Sequence, residues 1–194
     1  MPSKRPAPRL ALLEESQMSE AQHGLLSALR AGPRGQSLKL RGPFAAWMHA
    51  PEFGLLAQAL GAHCRYRTKL PPRLSEFAIL CTARQWRAQY EWYAHAPMAE
   101  RAGVAAKTIA DLRLGRAPRS APKDERAIYA FMQELYKTRR VSERTYKRVH
   151  ALFDDAGMVE LVGIFGYYAL ISMTLNVFHM LPPADAKLAF AELK

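Results

Sequence analysis

The residues from Leu161 to Leu181, LVGIFGYYALISMTLNVFHML, include no Asp, Glu, Lys or Arg. About 20 apolar residues are enough to span a bilayer, so such a run either crosses a membrane or is wrapped by protein. Ser172, Thr174, Asn176 and His179 interrupt it. Its flanks (Asp154, Asp155 and Glu160 before, Asp185 and Lys187 after) carry no Lys/Arg bias to orient a span. A helix that is apolar all round also suits the centre of a bundle or an oligomer seam. The expectation is a buried central helix, with no membrane as partner.

The rest of the chain also reads as helical. Ser19 with Gln22 forms a capping box that opens a helix to about Ala31. Gly32, Pro33 and Gly35 break it. GPFAAWMHAPEF predicts a short helix ending before Pro51, and the next segment has apolar positions at Phe53, Leu56, Leu60 and Cys64. Pro71 and Pro72 open a helix that turns Leu74, Phe77, Ala78 and Cys81 inward. Pro97 is read as a boundary, Gly103 and Gly115 as helix ends, and RAPRSAP as a loop. Ile128, Phe131, Met132 and Leu135 recur at helical spacing, and Ser142 caps a helix that Gly157 stops. A last helix is expected after Pro182-Pro183. No strand, fixed-period repeat or Gly-rich phosphate loop is evident. The fold class is therefore all-α, with residues 1–18 as a mobile N-terminal arm and 19–194 as one helical domain.

Charge narrows the choice of partners. The formal net charge is +11, and residues 107–148 hold twelve Lys/Arg against five acids. A basic face attracts nucleic acid or anionic ligands. Here the charges are dispersed, and no helix-turn-helix, RRM or zinc-finger pattern is present. A solvated surface without specific nucleic-acid binding is the plainer expectation. The rival is a binding or scaffold oligomer that uses this segment to dock an acidic partner. Cys64 and Cys81 form no CxxC and no disulfide framework, which fits a reduced cytoplasm. MPSKRPAPRLALLEES lacks the apolar core of a secretory signal.

The chemistry-bearing stretch is TARQWRAQYEWYAHAPMAERAGV, Thr82 to Val104. Glu91 and His95 stand one helical turn apart. A carboxylate beside an imidazole raises its pKa and fixes its tautomer, as a general acid/base requires. Tyr90, Trp92 and Tyr93 would exclude water from the pair. Glu76 lies among Leu74, Phe77 and Ile79, where an acid needs a buried partner. On one unbroken helix it would sit about 22 Å from Glu91, at ~1.5 Å per residue. It joins them only if the chain bends between Thr82 and Ala88, although no Gly or Pro marks a bend there. The remaining histidines are scattered without metal-ligand spacing, so no metal is expected. Cys64 and Cys81 fall on apolar stripes and read as buried and inert.

These residues resemble a known family. LSEFAILCTARQWRAQYEWYAH followed by AERAGV is similar to the carboxymuconolactone decarboxylase family, which includes the alkylhydroperoxidase D-like proteins. GPFAAWMHAPEF and ELVGIFGYYALISMTLN resemble its upstream and late apolar segments, so the likeness runs from about Gly42 to Asn176. It implies an alkylhydroperoxidase D-like all-α bundle that assembles as a homo-oligomer, a trimer or hexamer, with pockets at helix junctions. In the peroxidase branch an upstream Glu is followed by Cys-x-x-Cys-x-x-x-His. Here Glu76 and His95 match, while Ala88 and Glu91 occupy the cysteine positions. Without that dithiol, thiol peroxidase chemistry is not expected.

The decarboxylase branch uses no cofactor and removes CO₂ from a small lactone acid of aromatic catabolism. The resemblance therefore implies a carboxy-lyase with Glu76, Glu91 and His95 as the acid/base group. Arg84 and Arg87 are the candidate clamps for the substrate carboxylate, and Tyr90 and Trp92 the candidate walls. The alternative is an oligomer of the same fold that binds without catalysing.

Overall fold

Helix α4, Pro72–Gln85, runs through the middle of the molecule, with ten consecutive residues from Leu74 to Ala83 buried. Burial on every side leaves room for only one acid in it, Glu76. The structure is a computed structural model and describes residues 5–33, 35–36 and 38–191. Among these residues the elements are helices: α1 (Glu20–Ala31), α2 (Pro43–Trp47), α3 (Pro51–Tyr66), α4, α5 (Gln89–Arg101), α6 (Ala106–Arg113), α7 (Lys123–Thr138), α8 (Glu143–His150) and α9 (Asp155–Val177). They share one core, in which Phe77, Leu25, Leu29, Ile128, Leu161 and Ile164 are fully enclosed.

Helix α9 holds the uncharged run and is long and apolar enough to cross a membrane. It instead packs against α2, α3, α4, α5 and α8. Eleven of its residues are buried, Tyr167, Tyr168 and Ser172 among them. This is the placement of a central helix in a bundle. Its outer side is not covered: Val159 is 72% exposed, and Val162, Met173 and Val177 are exposed along the same helix.

Apart from the contact residues taken up below, the structure departs from the sequence reading in four places. The Phe53, Leu56 and Leu60 stripe of α3 points outward, with Leu56 75% exposed. The inward face is the small-residue set Gly54, Ala57, Gly61, Ala62 and Cys64. Close approach requires it, because a Cβ on Gly61 would lie 2.0 Å from the Tyr167 hydroxyl and one on Gly54 2.5 Å from Leu25. Pro97 is inside α5, not at its end. It lies on the exposed side, where losing the bond to the Tyr93 carbonyl is tolerated because water reaches that face. Gly157 does not stop α8; it lies in the first turn of α9 and donates its N–H to the Asp154 cap at 2.8 Å.

The segment after Pro183 forms no helix among the described residues, and its end is held by a side chain. Buried Gln89 accepts from the Ala189 and Phe190 N–H groups and donates to the Phe190 carbonyl at 2.7 Å. The described part of the N-terminal arm is docked. The Arg9 N–H donates to the Phe178 carbonyl at 3.0 Å, Glu15 pairs with Arg30 at 2.8 Å, and Met18 is buried.

Candidate acid/base site

The chain bends between Thr82 and Ala88 without glycine or proline. Arg87 takes a left-handed conformation, φ 50°. The Ala88 N–H then reaches the Ala83 carbonyl at 2.9 Å and the Arg87 N–H the Arg84 carbonyl at 3.1 Å. This is a Schellman ending, which normally takes Gly or Asn at that position. Asn176 on α9 supports it by donating Nδ2–H to the Trp86 carbonyl at 2.8 Å. Helix α5 then turns back alongside α4.

The bend brings Glu76, Glu91 and His95 together. Nδ1 of His95 is 2.7 Å from Glu76 Oε2, and Nε2 is 3.0 Å from Glu91 Oε1. All three side chains are buried, and the His95 ring packs edge-on against Tyr168 at 5.3 Å. Burial is the largest influence on His95 and disfavours its charge. The field of Glu91 and the hydrogen bonds to both carboxylates outweigh it, so its pKa is raised to about 9. The raised pKa favours the imidazolium at neutral pH, with Nδ1 hydrogen-bonded to Glu76 and Nε2 ion-paired with Glu91. Arg65 Nε stands 4.0 Å from the other Glu76 oxygen. Because protein carboxylates engage both ring nitrogens, the trio is hydrogen-bonded rather than arranged as a ligand set. Among the described residues no three His, Cys, Asp or Glu are placed to hold a metal ion.

Glu91 and His95 form part of the wall of a cavity of about 420 Å³, and Glu76 stands behind His95. Tyr90, Tyr168, Arg41 and Arg65 also line it. Gly42 gives Tyr90 its place: its φ is +59°, and a Cβ there would lie 2.4 Å from the Tyr90 ring.

Three of the expected contact residues are elsewhere. Arg84 stacks on the Phe190 ring at 5.2 Å, and Arg87 donates to the Ala191 carbonyl at 2.6 Å. Both line a separate cavity. Trp92 packs edge-on against Phe190 at 5.2 Å and does not line the His95 cavity. The left-handed turn at Arg87 explains the two arginines, because it sends the end of α4 and the face of α5 bearing Glu91 in different directions; Trp92 is one residue past Glu91 and so falls on another face of α5. The cations at the cavity are Lys39, Arg41 and Arg65. No local sequence signal marks Arg65, which ends α3 in an ordinary HCRYRTK segment.

The two cysteines are buried. Burial pushes the Cys64 thiol up to about 11, and it moves the Cys81 thiol well above its ordinary range. Neither is a thiolate at neutral pH.

No family model matches the chain, and no curated protein matches it in sequence. Solved structures do match in shape, two of them as follows. An uncharacterized peroxidase-related protein from Ralstonia eutropha JMP134, with an alkylhydroperoxidase AhpD core, superposes with a TM-score of 0.75 at 15% identity, covering 94% of this chain and 95% of its own. An uncharacterized peroxidase-related protein from Silicibacter sp. TM1040 superposes with a TM-score of 0.74 at 13% identity, covering 94% and 96%. The all-helical arrangement thus belongs to a known architecture: this chain has the alkylhydroperoxidase D core fold.

Proposed function

We propose that the protein is a cofactor-independent acid/base enzyme acting on a small carboxylated substrate, as in decarboxylation of a lactone acid. The observation that carries this reading is the His95 ring, held between the Glu76 and Glu91 carboxyl groups at the wall of a cavity with cationic sides. Arg41 or Arg65 holds the substrate carboxylate, since a guanidinium matches it in a bidentate fork. The bond from that carboxylate to the ring carbon breaks, and the electron pair stays on the carbon, delocalised toward the neighbouring carbonyl. CO₂ leaves. A proton moves from His95 Nε2 through Glu91 to the carbon, and water resets the pair. No electron is gained or lost, so no redox partner is needed.

The expected result is turnover of 4-carboxymuconolactone that falls about a hundredfold in Glu91→Gln and in His95→Gln, the usual scale for a lost general acid. Peroxide reduction with a dithiol should stay at background and be unaffected by Cys64→Ser and Cys81→Ser. No lyase turnover in the parent protein across small lactone acids, or turnover unchanged in both variants, would overturn the reading. The second reading is a binding protein of the same fold. What favours it is that both His95 nitrogens are already engaged by the protein, as in a purely structural tether. Ligand binding without turnover would select it.

A homo-oligomer, trimeric or hexameric, is proposed on the uncovered apolar residues of α9 and α3: Val159, Val162, Met173, Leu56 and Leu60. Large apolar side chains exposed along a helix mark candidate association sites. Light scattering at micromolar concentration should give a multiple of 21.8 kDa. A monodisperse monomer would refute it.

A further inference from the structure

The arginines displaced from the His95 cavity line a second one. It has a volume of about 200 Å³ and is bounded by Arg84 and Arg87 from the end of α4, Arg116 from the turn after α6, and Tyr129 and Gln133 of α7. No Asp or Glu lines it. Three other half-buried arginines have carboxylate partners: Arg30 has Glu15, Arg65 has Glu76, and Arg73 has Asp124 and Glu125, while Arg5 donates to the Pro183 and Ala186 carbonyls. Among the described residues Arg84, Arg87 and Arg116 form no salt bridge. The Nε–H groups of Arg84 and Arg87 are buried and have no acceptor. An unmet buried donor costs free energy, and an unmet buried charge costs more.

The cluster is built, not incidental. Gly115, at φ +72°, leaves the space that Arg84 fills: a Cβ there would lie 2.5 Å from Arg84 Nη2. The Phe190 ring supports the Arg84 guanidinium from one side, and the Ala191 carbonyl holds Arg87. Burial, and then the like charge of Arg87, lowers the Arg84 pKa, as is expected where cations converge without a counter-ion. The C-terminal ends of α4 and α6 offset part of this charge, about half a unit negative each. Against three guanidinium groups, roughly two positive charges are left over.

We propose that this cavity is a binding site for a small doubly charged oxyanion, a phosphate group, held by Arg84, Arg87 and Arg116. A phosphate presents acceptor oxygens in the fork geometry that guanidinium groups match. The site is distinct from the His95 cavity, and the two share no lining residue. The same chemistry arrives as free phosphate or as the phosphate end of a metabolite.

Isothermal titration of the full chain with sodium phosphate, against sodium chloride at equal ionic strength, tests it. Saturable binding is expected, with a matching rise in Tm. Arg116 is exposed, so Arg116→Gln should fold normally and weaken binding about tenfold or more. Arg84→Gln/Arg116→Gln should abolish it. Arg41→Gln/Arg65→Gln, in the other cavity, should leave it intact. Titration with glycerol 3-phosphate separates the sources: tighter binding than phosphate identifies a phosphorylated metabolite, and weaker binding identifies the free ion. The proposal is overturned if phosphate does no more than chloride. It is overturned equally if Arg116→Gln binds as the parent does, or if binding disappears in the Arg41/Arg65 variant instead.

Discussion

Between pH 6.5 and 9.5 the protein should lose about 3 kcal/mol of stability through His95 alone, from a rise of the pKa from 6.5 to about 9 at ~1.4 kcal/mol per unit. The direction follows from where the proton sits. Below about pH 6.5 His95 is protonated in both the folded and the unfolded chain, and its two ion pairs contribute in full. Between there and pH 9 the unfolded chain has released the proton while the folded state still holds it, so each rise in pH favours unfolding. Above pH 9 both states are neutral and the contribution is gone. Urea unfolding of the parent and of His95→Gln at matched pH isolates the effect, because other titrating groups act on both proteins. The gap between the two curves should narrow by about 3 kcal/mol across the window. Parallel curves would mean that His95 is neutral in the folded state, and the acid role proposed for it would fall with them.

Removing Glu76 should cost about 3–5 kcal/mol at pH 7, the usual penalty for leaving one member of a buried ion pair behind. Glu76→Ala strands the His95 imidazolium, whose Nδ1 loses its acceptor at 2.7 Å, and leaves Arg65 without its carboxylate. Two signatures separate this from a simple cavity. The cost should shrink as pH rises through 9, since a neutral His95 has less need of a counter-ion. The double variant Glu76→Ala/His95→Ala should also be destabilised by less than the sum of the single variants, because side chains in contact are coupled. Additive costs independent of pH would reduce Glu76 to a packing residue.

The candidate site was unevenly legible in the sequence. Glu91 and His95 could be paired from spacing alone, because i and i+4 share a helix face whatever surrounds the helix. Glu76 could be brought to them only by an energetic argument, that an acid among Leu74, Phe77 and Ile79 must find a partner. The turn that delivers it has no glycine. Arg87 adopts a left-handed conformation that local preference disfavours, and the Ala88-to-Ala83 bond, the Asn176 amide and the packing of α5 on α4 make up for it. That support comes from residues distant in sequence, and a local reading has no access to it. The same applies to Arg84 and Arg87. Their guanidinium groups made them candidate clamps for a substrate carboxylate, and the turn at Arg87 sent them to another cavity.

The sequence by itself determined the all-helical class, most helix starts and the central place of the 161–181 run, because periodicity, capping residues and the absence of charge act locally or along one helix. Ser19, Ser142 and the α4 and α7 stripes are read in this way, since a cap or a 3.6-residue period has its meaning within a single turn or face. Only the tertiary structure decided which side of α3 faces inward, where the C-terminal segment lies and which cations reach His95. The α3 case has the clearest physical reason. Hydrophobicity alone points Leu56 and Leu60 at the core, but the approach of α3 to Trp47 and Tyr167 leaves no room for a side chain at Gly54 or Gly61. Close packing therefore claims the small residues for the inside and turns the large apolar ones out, and that choice depends on the shape of helices far away in the chain.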